Sequence, residues 1–146
     1  SRARLRKLSL YCERTCAADR VARLGASLPP SLHSLRCEGI HGAIVPSACR
    51  LASRGHLRHL ELTLCEPRLG PAHARALASA LSARGCQVRD LEVGDNELGA
   101  SGVSAIARAV AVNASLRLLV LRDNSAGAAG AAALAKSLVR NCTLAD

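Results

Sequence analysis

Apolar residues recur in this chain at a fixed spacing, most regularly in its second half. The pattern apolar-x-x-apolar-x-apolar begins at Leu57, at Val88 and at Leu116, and Leu144 opens one more copy. The step is 28 residues from Val88 to Leu116 and again from Leu116 to Leu144. A constant period of this size is typical of a solenoid, in which each repeat buries its apolar side against its neighbours.

Each copy combines a strand-like and a helix-like periodicity. Its first residues alternate with period two, which predicts a strand with one buried face. After a turn, apolar residues lie four positions apart: Ile106 with Val110, and Leu134 with Leu138. That spacing places each pair on one helix face, which we expect to pack onto the strands. Arg108 and Lys136 fall on the opposite, solvent side.

Two weaker copies precede these, starting at Leu5 and Leu32. We predict a helix over residues 16–28 in the first, and a brief or irregular helix in the second because of Pro46. The third copy has three extra residues, two of them beside Pro67 and one in 82–87, where loops tolerate insertion. The predicted repeats are 5–31, 32–56, 57–87, 88–115 and 116–143.

The residues that follow the strands carry a recognisable motif, Asn96-Glu-Leu98-Gly99-x-x-Gly102. It resembles the leucine-rich repeats of the ribonuclease-inhibitor type, also found in NOD-like receptors and Ran GTPase-activating proteins. Cys65 stands where that family alternates Cys with Asn, whereas Glu13, Ile40 and Ser125-Ala126 depart from the pattern. The resemblance implies a single right-handed α/β solenoid over residues 1–146, with about five repeats, parallel strands on the concave face and helices on the convex face.

The position after each strand has a structural role in the family that this chain resembles. Its buried side chain hydrogen-bonds the backbone where the chain leaves the strand, which satisfies groups that burial would otherwise orphan. We expect Asn96 and Asn124 to do so fully, Cys65 weakly and Ile40 not at all.

Composition agrees with a layered core and indicates a reducing location. Aromatic residues make up 1% of the chain, with Tyr11 as the single example. The seven Cys form no Cys-x-x-Cys pair, which predicts reduced, buried thiols and a cytoplasmic protein rather than a disulfide framework. We see neither a signal peptide nor a membrane-spanning apolar run. Because the chain starts at Ser1 and stops just after Leu144, we expect it to be part of a longer protein.

The concave face predicted from the repeats carries an uneven distribution of charge. Counting along each repeat places three acidic residues and one histidine in neighbouring columns: Glu61, Asp90, Glu92 and His59. In the next repeat these columns continue with Leu118 and Val120, beside Arg122. One interpretation is a docking patch, in which carboxylates steer a basic partner and exposed apolar residues supply contact area. The other is a solvated strand face whose apolar pair is covered by a neighbouring segment.

The formal net charge is +9, and the N-terminal run is strongly basic. The run consists of Arg2, Arg4, Arg6 and Lys7, followed by Arg14, Arg20 and Arg23. Such a run can contact phosphate or an acidic surface, although an Arg-rich coding bias gives the same composition. Because no aromatic residue except Tyr11 interleaves with it, single-strand nucleic-acid binding is disfavoured.

Metal, cofactor and catalytic signals are weak. Cys12-x-x-x-Cys16 has no second Cys pair and the five His are scattered, so we interpret them as structural thiols and surface histidines and predict no cofactor. No nucleophile, base and orienting group share a repeat. Asn113-Ala-Ser115 and Asn141-Cys-Thr143 fit the glycosylation pattern, but we interpret both as turns.

We therefore predict a non-catalytic protein-interaction scaffold that uses its concave face. Alternatives are a GTPase-activating regulator of the Ran type, a structural subunit of a ribonucleoprotein or ciliary assembly, and the sensing end of an innate immune receptor. The sequence leaves the oligomeric state open.

Overall fold

Five parallel strands form one sheet in the part of the chain that the computed structural model describes, residues 4–13 and 15–145. They are β1 (Lys7–Tyr11), β2 (Ser34–Glu38), β3 (His59–Thr63), β4 (Asp90–Glu92) and β5 (Leu118–Val120). The order in the sheet is the order in the chain, so every strand pairs with its sequence neighbours. This is the arrangement that the repeating strand pattern predicts.

A helix follows each strand. The helices are α1 (Ala18–Ala26), α2 (Val45–Ser53), α3 (Pro71–Leu81), α4 (Gly99–Val112) and α5 (Gly127–Leu138). Neighbouring strands lie about 4.8 Å apart, whereas packed helices need about 8–10 Å. The layer of helices is therefore the longer one, and the strands take the inner, concave side. The predicted α/β solenoid is confirmed.

The core lies between the strand layer and the helix layer. Leu60 and Leu91 are buried register partners on β3 and β4, and Ile106 and Val110 of α4 are fully buried, as their spacing predicts. Small residues allow the helices to approach closely. A Cβ atom added at Gly102 would lie 2.9 Å from the Cβ of Ala74 on α3, so only glycine fits there without a shift.

The second helix is more regular than the sequence predicts. We expect Pro46 to shorten or distort it, yet α2 runs for nine residues. Pro46 lies in its first turn, where the missing N–H has no helical partner in any case. A short 3₁₀ turn, Gly42–Ile44, leads into the helix, and His41 Nδ1 accepts the N–H of Ala43 at 3.0 Å.

The last helix packs differently from the prediction. Leu134 is half-buried against the core, but the Leu138 side chain is 53% exposed, so Leu138 does not pack onto the strands. The buried positions of α5 are Gly130 and Ser137. In the described chain α5 contacts α4 and has no helix on its other side, so its outer face is left open.

The cysteines correct a second expectation. Cys12 and Cys16 form a disulfide pair instead of two reduced thiols. The other five are free, as the sequence suggests, but only three of them, Cys37, Cys65 and Cys86, are buried, and Cys142 is exposed. Burial raises the pKa of both Cys37 and Cys65 to about 12, with smaller contributions from neighbouring charged groups. No helix in the described ranges is long and apolar enough to cross a membrane.

Candidate functional site on the concave strand face

The strand register places the predicted site residues side by side. His59, Asp90 and Leu118 are successive register partners on β3, β4 and β5. Glu61, Glu92 and Val120 form the next row, two residues further along the strands. Because alternate residues of a strand point to the same side, these two rows share the concave face.

The carboxylate of Glu61 is partly neutralised by Arg36 on β2. Arg36 Nε donates to Glu61 Oε2 at 2.5 Å, and Thr63 Oγ1 donates to the other carboxylate oxygen at 3.4 Å. The hydrogen bond from Arg36 to Glu61, together with the negative charge of Glu61, raises the pKa of Arg36. The sequence puts Arg36 in the same column as Glu61, but the pairing itself follows from the side-chain conformations.

Asp90 also has a partner, because its Oδ2 contacts Nδ1 of His59 on the neighbouring strand. Glu92, in contrast, takes part in none of the ion pairs found among residues 4–13 and 15–145. The acidic cluster thus consists of two carboxylates held in ion pairs and a third, Glu92, that acts on Arg36 through its charge without a direct bond.

The apolar side of the site is less open than expected. Leu118 and Val120 are half-buried, not fully exposed, and both lie in β5. Arg122 is exposed, but Nη2 of its guanidinium bonds Asp95 Oδ2 at 2.9 Å. Its side chain also packs over Gly94, where an added Cβ would lie 3.0 Å from Arg122 Cγ. Arg122 therefore borders the face from a fixed position.

A shallow hollow of about 210 Å³ lies over these rows. It is lined by Ser34, Leu35, Arg36, His59, Leu60, Glu61, Asp90, Glu92 and Leu118. Pockets for small molecules usually measure about 300–1,000 Å³. The hollow is of a size for one side chain of a macromolecular partner.

The basic N-terminal run does not form one patch. Arg4 and Arg6 line a hollow at the edge of the sheet, whereas Lys7 lies on the concave face in register with Ser34. Arg20 and Arg23 belong to α1, where Arg23 lies 4.0 Å from Asp19. Arg2 and Arg14 lie outside the described residues.

The ladder predicted after the strands is present. The amide of Asn96 donates to Leu62 O at 2.8 Å and to two carbonyls of its own turn, and Asn96 Oδ1 accepts the N–H of Leu69 at 3.2 Å. Asn124 repeats the arrangement one layer on, with Val93 O and the N–H of Leu98. Both side chains are buried.

A second ladder was missed by the sequence analysis, which assigns Asn113 and Asn141 to turns alone. Asn113 Nδ2 donates to Leu81 O at 2.8 Å, and its Oδ1 accepts the N–H of Leu116 at 2.7 Å. Asn141 bonds Val110 O and the N–H of Leu144 in the same way. The 28-residue step between the two asparagines could have predicted this ladder. Residues one repeat apart lie above each other in a solenoid, so an amide at the same position of successive repeats can form a ladder.

Within the described ranges, no group of three or more His, Cys, Asp or Glu side chains is arranged to hold a metal ion.

Comparisons with known proteins agree with this architecture. A leucine-rich repeat family model matches residues 86–107. The solved structure of leiomodin-1 actin-binding site 2 (ABS2) is similar, with a TM-score of 0.73 and 20% sequence identity over 90% of this chain and 78% of that chain. The fold is a leucine-rich repeat solenoid. No curated protein matches the chain in sequence. At 20% identity, the similarity to the leiomodin-1 structure concerns the fold alone.

Proposed function

We propose that this leucine-rich repeat solenoid is a non-catalytic protein-interaction module that binds a basic segment of a partner on its concave face. The observation that carries the proposal is the strand register, which sets Glu61, Asp90 and Glu92 beside the half-buried Leu118 and Val120. Charge steers a partner of opposite sign, and apolar residues next to it supply contact area that loses water on binding.

The pairing of the carboxylates defines how this face would bind. Glu92 offers a carboxylate outside the ion pairs, whereas Glu61 would exchange or share its bond with Arg36. Asp90 is already matched by His59, which keeps its side chain in place. A lysine or arginine of the partner that enters the hollow of about 210 Å³ finds both Glu92 and Leu118 in its lining.

Two finer assignments belong to the same proposal. The Asn96 to Gly102 motif supports membership of the ribonuclease-inhibitor type of repeat. Five of the seven thiols are free, which supports a location in the reducing cytoplasm, whereas the Cys12–Cys16 pair counts against it.

The test uses a defined basic probe, an eight-residue peptide of alternating Lys and Leu, titrated into ¹⁵N-labelled protein and followed by NMR. We expect chemical-shift changes at residues 59–61, 90–92 and 118–120. Glu61→Gln/Asp90→Asn/Glu92→Gln should weaken binding by about tenfold, because three partly exposed charge contacts are each worth roughly 0.5 kcal/mol. The matched control Glu66→Gln/Glu97→Gln/Asp123→Asn removes three exposed carboxylates elsewhere and should leave binding within about twofold.

Equal loss in both variants would show that net charge, not the concave face, attracts the peptide. The same two variants then serve as baits for capture from a native lysate, with purified actin as a named probe because the similar leiomodin-1 structure is an actin-binding site. Stimulated GTP hydrolysis by a Ran-type GTPase would favour the regulator alternative instead. Captured ribonucleoproteins that dissociate steeply with salt would favour the structural-subunit alternative.

A further inference from the structure

A column of basic residues, here called the edge column, crosses the sheet at the N-terminal ends of its strands. The residue immediately before the first concave position of each strand is basic, and these residues are Arg6, His33, Arg58, Arg89 and Arg117. From His33 onward, the backbone N–H of each member donates to the carbonyl of the preceding member at 2.7 Å. With strands about 4.8 Å apart, this edge column is a rigid row about 19 Å long.

The charges of the edge column are not neutralised within the described chain. The ion pairs found there involve Asp19, Glu61, Asp90 and Asp95, each with a basic residue outside the column. Arg58 Nη1 donates to the side-chain oxygen of Gln87 at 3.0 Å, which positions its guanidinium without cancelling its charge. Arg89 and Arg117 are exposed.

Two hollows flank the column, and among residues 4–13 and 15–145 no carboxylate lines either of them. The larger, of about 710 Å³, contains Arg84, Arg89 and Arg117. Apolar side chains complete it, among them Val112, which is 71% exposed. The smaller, of about 590 Å³, is lined by Arg4, Arg6, Pro30, Ser31, His33 and His56.

We propose that the edge column binds an extended acidic polypeptide segment of about six residues. Six residues of extended chain span about 20 Å, which matches the length of the column. Guanidinium groups bind carboxylates through paired, charge-assisted hydrogen bonds, which explains why arginine suits this row better than lysine.

The lining of the hollows favours a peptide over a nucleic acid. Val112 and Ala114 offer apolar contact area, which suits the side chains of a peptide and not a charged phosphate backbone. Within the described ranges no Phe, Tyr or Trp lines either hollow, and proteins that hold single-stranded nucleic acid rely largely on such rings for base stacking. The column is also distinct from the concave acidic rows, because Arg89 and Asp90 are sequence neighbours that face different sides.

The test is an NMR titration of ¹⁵N-labelled protein with an eight-residue peptide of alternating Glu and Leu. We expect shift changes at the backbone amides of residues 58, 89 and 117, and at the Arg89 and Arg117 Nε signals. The variant Arg89→Gln/Arg117→Gln should bind about tenfold more weakly, because two charge-assisted contacts are lost. The matched control Arg75→Gln/Arg108→Gln removes two exposed charges from α3 and α4 and should stay within about twofold.

Three results would overturn the proposal. One is the absence of shift changes along the edge column. Another is an equal loss in both variants, which would mean that net charge alone attracts the peptide. The third is tighter binding of an eight-nucleotide oligouridylate at the same residues, which would assign the edge to nucleic acid. None of these results bears on the concave face, since the Lys and Leu peptide reports on that site separately. Unchanged dispersion of the amide spectrum verifies that the variants fold.

Discussion

The C-terminal repeats and the N-terminal repeats of this solenoid build the same backbone with different side chains. Where the chain leaves β4, Asn96 makes four hydrogen bonds to backbone groups and is buried. At the same point of the preceding repeats stand Cys65 and Ile40, both buried as apolar residues. A polar ladder is therefore one way to hold this turn, and apolar packing is another.

The difference extends to the other end of the strands. Asn113 lies between α4 and β5, Asn141 follows α5, and both hydrogen-bond the backbone there. The last layers are therefore held by buried amides at both ends of the strands. The N-terminal layers place free thiols in their interior, with Cys37 on β2 and Cys65 after β3. A buried amide costs stability when a partner is lost, whereas a buried thiol acts mainly as a small apolar group.

The largest expected effect concerns the thiols of the N-terminal layers. A pKa of about 12 for Cys37 and Cys65 leaves on the order of one thiol in 10⁴ ionised at pH 8. With a thiol reagent at that pH, we expect the exposed Cys142 to react on the order of a thousandfold faster than either. Mass spectrometry of the labelled peptides measures the rates, and denaturant should equalise them. Labelling of Cys65 as fast as Cys142 would show that this layer is open.

The next effect separates the two ways of holding the turn. Asn96→Ala should lower the free energy of unfolding by about 3 kcal/mol, because buried backbone groups lose their partners. Cys65→Ala at the equivalent position should cost only about 1 kcal/mol, the loss of a small apolar side chain. Urea unfolding followed by circular dichroism provides both values. Similar costs for the two substitutions would remove the distinction between polar and apolar layers.

The smallest effect lies where the two regions meet, at His73 on α3. Its Nδ1 accepts the N–H of Gly70 at 3.2 Å, and burial, together with the nearby His41, lowers the pKa of His73. The unfolded chain therefore takes up the proton first as the pH falls below about 6.5, so this contribution to stability is complete above that pH and is lost below it.

The substitution His73→Gln retains an acceptor for the Gly70 N–H and removes the titration. Between pH 7.5 and pH 5.5 we expect the melting temperature to fall less in this variant than in the wild type. His56→Gln is the control, because the His56 side chain makes no hydrogen bond in the described chain, and it should follow the wild type. A parallel fall in all three proteins would assign the pH dependence to other groups.

The sequence also predicts much of the candidate site, since the period of the repeat fixes which residues become neighbours. The rows that contain His59 with Asp90 and Glu61 with Glu92 follow from counting alone, and the register agrees. The bond between Arg36 and Glu61 could not be predicted, because it depends on the conformations of two long side chains. The exposure of Leu118 and Val120 depends on what packs beside β5, which periodicity does not describe.

By itself, then, the sequence determined the solenoid, the strand order and the Asn96 and Asn124 ladder. These depend on spacing along the chain, and burial of one face enforces that spacing in every layer. Only the tertiary structure decided the regular helix after Pro46, the exposure of Leu138, the Cys12–Cys16 pair and the second ladder. The alignment of the edge column follows from the repeat period, but only the tertiary structure decided that its members stay outside the ion pairs of the described chain. The second ladder and the exposure of Leu138 depend on how the repeats stack in space, whereas the helix after Pro46 and the Cys12–Cys16 pair depend on the path of the backbone within one repeat.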